Sequence, residues 1–206
     1  FKRMVSPAVI EQLDPNSLDL IGKKTEISIF FADIRGFTSL GEKVQPEGLV
    51  SILNRFLALA ADALLKEEGT VDKFLGDAVM AWFNAPIPQS DHTMRAVRAA
   101  LAINEMVTKL HPELNPNVRL NFGMGIHVGE AVLGLIGTEK RLDYTAIGDS
   151  VNTAKRIQEN AGGGQILISQ SAYEQVKDRV IVAEVAPILA KGKRAPVIVY
   201  ELKSLR

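Results

Sequence analysis

The chain has 206 residues, above the roughly 150 of a typical domain and short of two comfortable ones, so one compact domain is expected. With 47% hydrophobic residues it holds enough apolar material for a core, which excludes a disordered chain, and with no Cys it cannot be a disulfide scaffold, a thiol enzyme or a Cys-based zinc site. Lys+Arg 24 against Asp+Glu 24 leaves a formal charge of zero, so no whole-molecule field draws it onto nucleic acid or an anionic membrane. Any anion must be held by local charge.

Residues 1–20 read as a lead-in. Ser6-Pro7 is an N-cap followed by a first-turn proline, opening a short helix through about Leu13. The chain opens at Phe1 without a leader-like apolar pattern and reads as a piece of a longer protein. Thr25 to Ala32 is rich in β-branched and aromatic residues and predicts a buried strand that runs into the charged, glycine-containing stretch Asp33-Ile34-Arg35-Gly36-Phe37-Thr38. From Pro46 to Glu68 the apolar residues fall at helical spacing until Gly69. Its most apolar part, Leu49 to Leu65, is interrupted by Ser51, Asn54, Arg55 and Asp62, so it reads as a core-facing helix rather than a membrane span.

Thr70 to Leu75 and Ala78 to Phe83 predict two strands joined by a tight turn at Gly76-Asp77. Asp91 is expected to cap a helix running to about Leu110. A turn at Asn115-Pro116-Asn117 then leads to a strand over Val118 to Val128, a break at Gly129-Glu130 and a second apolar run, Ala131 to Ile136. Asp149-Ser150 is expected to cap a helix to about Asn160, closed by Gly162-Gly163-Gly164. Strand Gln165 to Ser169, helix Ser171 to Asp178 and strands near Val180 to Val185 and Val197 to Leu202 follow, with Pro187 to Pro196 as an insertion-like loop. The order βαββαβ with appended elements predicts α+β or α/β, one sheet carrying helices mostly on one face, and an α+β sandwich with a ferredoxin-like core is the expected fold.

Asp33 and Asp77 both stand where an apolar strand meets a glycine-containing turn. Two carboxylates at a sheet edge can hold magnesium or manganese, which favour carboxylate, carbonyl and phosphate oxygens. A helix cap for Asp33 and a turn residue for Asp77 are equally ordinary readings of each position alone. Around Gly36 the backbone turns straight after a strand, where consecutive N–H groups can receive a phosphate if a helix follows. The G-x-x-x-x-G-K-[ST] pattern is absent, and Gly123-x-Gly125 lies inside a strand pattern, so neither a Walker loop nor a dinucleotide fingerprint is present. Asn152 and Arg156, four apart, share one helix face, either as a solvated face or as an amide and a guanidinium aimed together at a phosphorylated sugar. Lys73 shares a strand face with Val71 and Leu75 if the run is extended. There it snorkels, pairs with an acid, or donates to a ring nitrogen. Lys140, Arg141 and Lys191 are cations in loop-like stretches. His92, His111 and His127 lack metal-ligand spacing, and no G-x-S-x-G elbow supports a hydrolase.

Taken together, FFADIRGFT at 30–38, TVDKFLGDAVMAWF at 70–83 and YTAIGDSVNTAKRI at 144–157 resemble the catalytic domain of class III adenylyl cyclases. The resemblance runs from VSPAVIEQL to KGKRAPVIVYEL, nearly the whole chain, and makes 21–206 the catalytic domain. It implies that Asp33 and Asp77 bind two Mg2+ or Mn2+ ions, with the Ile34 carbonyl as a further ligand. It implies that Lys73 and Thr145 read the base, Thr145 marking the threonine-type subclass where many members carry aspartate. Asn152 would orient the ribose and Arg156 would stabilise the transition state. Gly36, Phe37, Thr38, Arg141 and Lys191 would contact phosphate, with Lys140 the alternative to Arg141.

The implied reaction converts ATP to 3′,5′-cyclic AMP and pyrophosphate at sites shared between the two subunits of a homodimer. Upstream regulatory domains in the full-length protein and a cytoplasmic location, free or as the cytoplasmic part of a membrane-anchored protein, are the matching expectations. Neither nucleic acid nor membrane contact is expected of this segment. A lysine donates well to adenine N1 and badly to protonated guanine N1, and a threonine oxygen accepts from the 6-amino group, so adenine is the expected base. The rivals are a guanylyl cyclase, for which a carboxylate would be expected in place of these residue types, and a regulatory nucleotide-binding domain that has lost a metal Asp, the Asn or the Arg.

Overall fold

A computed structural model describes residues 22–138, 140–189 and 195–206, and only the backbone of Arg141 and Leu142. The expected lead-in helix and Lys191 lie outside the described residues. The first strand, β1 (Lys23–Arg35), is longer than its apolar run and carries Asp33 inside the ladder. Gly36, at φ 82°, turns the chain into the single turn α1 (Phe37–Leu40). Then come α2 (Pro46–Lys66), β2 (Thr70–Leu75), β3 (Ala78–Phe83) and α3 (His92–Leu110). Next are β4 (Asn121–Thr138), β5 (Arg141–Ile147), α4 (Asp149–Glu159), β6 (Ile166–Ser169), α5 (Gln170–Val176), β7 (Val180–Glu184) and β8 (Val199–Leu205).

The strands form one mixed sheet in the order β2-β3-β1-β4-β6-β8-β7, with β5 paired to the distal part of β4. Its first four strands are antiparallel neighbours in the ferredoxin-like order, as the βαββαβ pattern predicts. Alternation along β1 separates two faces. Phe30, Ala32 and Ile34 join a core with Phe56, Ala60 and Leu64 of α2, Val97, Ala100 and Ile103 of α3 and Ala172 and Val176 of α5. Ile27, Ile29 and Phe31 join the second core with Met80, Trp82, Tyr144, Ala146 and Ala154 of α4. Asp33 continues this second series. By length and composition α2 is apolar enough to cross a bilayer. Here it buries Phe56, Ala60, Ala63 and Leu64 against the sheet.

Three expectations change. The strand expected over 118–128 begins only at Asn121, after a 3-10 turn at Pro116–Val118, and does not break at Gly129-Glu130: β4 runs through to Thr138. Gly129 is there because a side chain would strike Ser150. The Asp149 to Asn160 helix is capped by Gly148, with Asp149 already in its first turn. Asp91 does sit at the N-cap of α3, but its carboxylate receives Arg95 Nε at 2.7 Å rather than a backbone N–H.

Candidate active site

Two carboxylates lie at one end of the sheet. Asp33 pairs across β1 with Ala78 of β3 and Gly123 of β4, and Asp77 follows Gly76, which is at φ 65° in the β2–β3 turn. The Ile34 N–H donates to the Asp77 carbonyl at 3.0 Å, which ties the two segments together. Asp33 Oδ1 is buried and makes no hydrogen bond, although Arg35 Nε lies 3.3 Å away. Burial pushes the Asp77 carboxyl up; its own backbone N–H opposes this, the Asp33 charge adds to it, and Arg35 again opposes. A buried oxygen that makes no hydrogen bond and has the Arg35 charge beside it, next to a second carboxylate whose burial opposes its ionisation, is a donor set suited to a hard divalent cation. Among the described residues no cluster of three or more acidic or imidazole side chains completes a cage. Backbone carbonyl and phosphate oxygens would have to fill the shell.

The second group turns on a β-bulge. The β2–β3 register shifts between Val71 and Lys73, so Val71 stands opposite Ala81 and Lys73 opposite Met80. Ala81 and Met80 face opposite sides of the sheet, so Lys73 leaves the face of Val71, contrary to the extended-strand expectation, and keeps company only with Leu75. The extra residue, Asp72, is turned inward until its side chain is 1% exposed. Its Oδ2 accepts a hydrogen bond from Thr145 Oγ1 at 2.7 Å and sits 3.3 Å from Lys73 Nζ. Burial pushes the Asp72 carboxyl up, and the Thr145 hydrogen bond and Lys73 charge pull against it. One oxygen thus joins Lys73 to Thr145, 72 positions apart in the chain.

Thr145 reaches this point because β5 pairs antiparallel with residues 132–138 of β4 and brings Tyr144 over Trp82, ring centroids 6.0 Å apart. Sequence reasoning passed over both Asp72 and β5. The available signal for Asp72 was an aspartate inside a strand, where that residue type is depleted.

Asn152 and Arg156 lie on α4, which is pressed onto β4 over Gly123, Gly125 and Gly129. A methyl at Gly125 would stand 2.6 Å from Gln158 N, and one at Gly123 2.8 Å from the Ala161 carbonyl oxygen. These glycines read as close-approach positions for a helix. Asn152 is exposed, and Arg156 is partly exposed with its Nε 4.0 Å from Glu159 Oε2. Arg35 NH2 donates to the Gln158 and Glu159 carbonyls at 2.8 and 3.0 Å, so the residue beside Asp33 also caps the last turn of α4. In the Gly36 loop, Leu40 N–H donates to the Gly36 carbonyl at 3.1 Å, leaving Phe37 and Thr38 at the start of a single turn. Arg141 opens β5 opposite Thr138, and Lys140 is exposed in the preceding turn.

Residues 21–204 match the profile of the adenylate and guanylate cyclase catalytic domain, and the chain belongs to that family. Adenylate cyclase 1 of Rhizobium meliloti is 34% identical over 185 residues, 87% of this chain and 28% of its own length. An adenylate cyclase of Anabaena cylindrica is 32% identical over 222 residues, 99% of this chain and 43% of its own. The chain therefore spans less than half of these curated relatives. Among solved structures, the adenylyl cyclase CyaB of P. aeruginosa superposes with a TM-score of 0.85 at 34% identity, covering 91% of this chain and 98% of that one. The guanylyl cyclase Cya2 superposes with a TM-score of 0.84 at 35% identity, covering 90% and 95%. An adenylyl and a guanylyl cyclase fit equally well, so the choice of base falls to individual side chains.

Proposed function

We propose that this domain is an adenylyl cyclase that closes ATP on itself, with the ribose 3′ oxygen attacking the α-phosphorus and pyrophosphate leaving, at sites shared by two copies of the chain. The observation that carries the choice of ATP is the pairing of Lys73 and Thr145 on one carboxylate oxygen. At 3.3 and 2.7 Å from Asp72 Oδ2, the ammonium and the hydroxyl sit within the width of a single base. Lys73 donates to adenine N1, and Thr145 accepts from the 6-amino group. Guanine carries a proton on N1 facing the ammonium and a carbonyl oxygen facing the hydroxyl, so the GTP reading suggested by the likeness to Cya2 is the weaker one.

Asp33, Asp77 and the Ile34 carbonyl would hold two divalent cations, Mg2+ or Mn2+, which when bound ease loss of the 3′ proton and neutralise the polyphosphate. Asn152 holds the ribose so that its 3′ oxygen faces the α-phosphorus. Arg156 meets the charge that develops there, its planar fork matching two phosphate oxygens. The N–H groups of Gly36, Phe37 and Thr38, with Arg141 and Lys191, hold the remaining phosphates. Support for pairing of two copies comes from apolar residues left exposed around the base-reading group: Phe74 and Leu75 on β2, and Val132, Ile136 and Ile147 on the β4–β5 hairpin. A head-to-tail pair gives each site the aspartates of one subunit and the Lys73, Thr145, Asn152 and Arg156 of the other.

The test is direct. Purified protein is incubated with ATP or GTP and magnesium or manganese, and the products are resolved against 3′,5′-cyclic nucleotide and pyrophosphate standards. The expected result is cyclic AMP, with kcat/KM for ATP at least about 10²-fold above that for GTP. Equal turnover of GTP refutes the assignment of the base.

A further inference from the structure

Thr145 poses a chemical ambiguity that Asp72 resolves. A hydroxyl has one donor and two acceptor lone pairs and rotates freely, so on its own it suits an amino group or a carbonyl equally. Here the hydroxyl is not free. Its proton is directed at Asp72 Oδ2, 2.7 Å away, and a carboxylate can only accept. The outward side of Thr145 then offers lone pairs alone.

The same oxygen lies 3.3 Å from Lys73 Nζ, and the Lys73 side chain is 45% exposed while that of Asp72 is 1% exposed. The carboxylate therefore lies behind the two groups, out of reach of a ligand, and sets the direction of both. A buried carboxylate is expensive, and burial does push its carboxyl up. The β-bulge that turns it inward falls at this residue, where the β2–β3 register shifts between Val71 and Lys73. Bulges of this kind re-aim side chains beside sites.

We propose that Asp72 is the positioning residue for base selection: by accepting the hydrogen bond of the Thr145 hydroxyl it commits that oxygen to accept from the ligand, which favours a purine with a donor at position 6 and rejects one with an acceptor there. The inference rests on the reading that Lys73 and Thr145 meet the base. Asp72 itself touches no substrate and acts through these two. A residue that merely filled the bulge would, when altered, lower turnover of all nucleotides alike.

The discriminating probe is 6-methoxypurine ribonucleoside triphosphate, which replaces the 6-amino donor by an acceptor oxygen and leaves N1 bare. The readout is the ratio of kcat/KM for ATP to that for the 6-methoxy nucleotide. Asp72→Ala frees the hydroxyl to turn, and the ratio is expected to fall about tenfold, within the range set by an unpaired buried polar group. Thr145→Val should narrow the ratio as well, and adding Asp72→Ala to Thr145→Val should change it no further. An unchanged ratio in Asp72→Ala, while Thr145→Val moves it, overturns the role of Asp72 and leaves the base-reading assignment standing. If neither Thr145→Val nor Lys73→Ala alters discrimination among purines, the assignment itself fails. The native protein supplies a comparison free of any folding defect. The 6-methoxy nucleotide should be turned over more poorly than the unsubstituted purine nucleotide, because an acceptor facing committed lone pairs is worse than no group. Equal or reversed order overturns the proposal.

Discussion

Gly125→Ala probes the link between backbone packing and catalysis. Gly125 lies in the middle of the sheet, opposite Phe31 of β1 and Leu167 of β6. An added methyl carbon would stand 2.6, 2.8 and 2.9 Å from the N, Cα and Cβ of Gln158. Carbon contacts are comfortable at about 3.5–4.0 Å, so the two surfaces must part by about 1 Å. The obstructing atoms include helix backbone, and β4 is fixed on both sides, so α4 is the element that yields. Overpacking of this kind destabilises by about 1–3 kcal/mol. Gln158 is two residues from Arg156, and if Arg156 has the proposed role at the α-phosphorus, a displacement of about 1 Å lowers turnover about 10²-fold. The measurements are thermal melting of the purified protein and steady-state kinetics with ATP. The expected outcome is a lowered melting temperature and a fall in kcat larger than any change in KM. A Gly125→Ala protein with native melting and native kcat would refute the reasoning that the glycines of β4 set the height of α4, which carries Asn152 and Arg156.

Arg156→Ala should lower kcat by about 10²-fold or more while leaving the melting temperature near native, since the side chain is partly exposed and its ion pair with Glu159 is long, at 4.0 Å; stopped assays and calorimetry on one preparation check both. Chelation with EDTA should abolish cyclic AMP formation without unfolding the domain, because both cores against the sheet are built of apolar side chains; circular dichroism before and after chelation checks this. His92 is buried with Nδ1 2.6 Å from Ser28 Oγ, and burial holds its imidazole below the ordinary value of 6.5, with Glu26 and Asp91 pulling the other way. The folded state resists protonation, so the stability contribution is intact above 6.5 and is lost as pH falls through the depressed folded value. Melting temperature should drop on acidification from pH 7 to pH 5, and His92→Gln should flatten that slope.

What the sequence disclosed follows from how locally each feature is encoded. The β2–β3 hairpin lies at its expected bounds because Gly76-Asp77 supplies the turn and both flanking runs are β-forming. The α2 helix was legible from its apolar spacing and from Gly69, where a side chain would strike Phe83 at 2.8 Å. The strand β5, with the sequence RLDYTAI, has no apolar run of its own and owes its existence to pairing with the exposed end of β4. The bulge at Asp72 was hidden because strand periodicity presumes a regular ladder, and one extra residue reverses every side chain beyond it. That reversal is what carries Lys73 to the Thr145 side. Asp33, Asp77, Asn152 and Arg156 were readable as positions, whereas the joint that Arg35 makes between Asp33 and the last turn of α4 links residues 123 and more apart and had no local signature.

The central claim, that each site takes its aspartates from one subunit and its base, ribose and arginine contacts from the other, is tested by mixing two inactive proteins, Asp33→Ala and Arg156→Ala, under conditions where subunit exchange is demonstrated. A mixed dimer carries both lesions in one site and leaves the other intact, so cyclic AMP formation from ATP should return to an appreciable fraction of the native rate. Two proteins that exchange subunits yet stay inactive together would contradict the account.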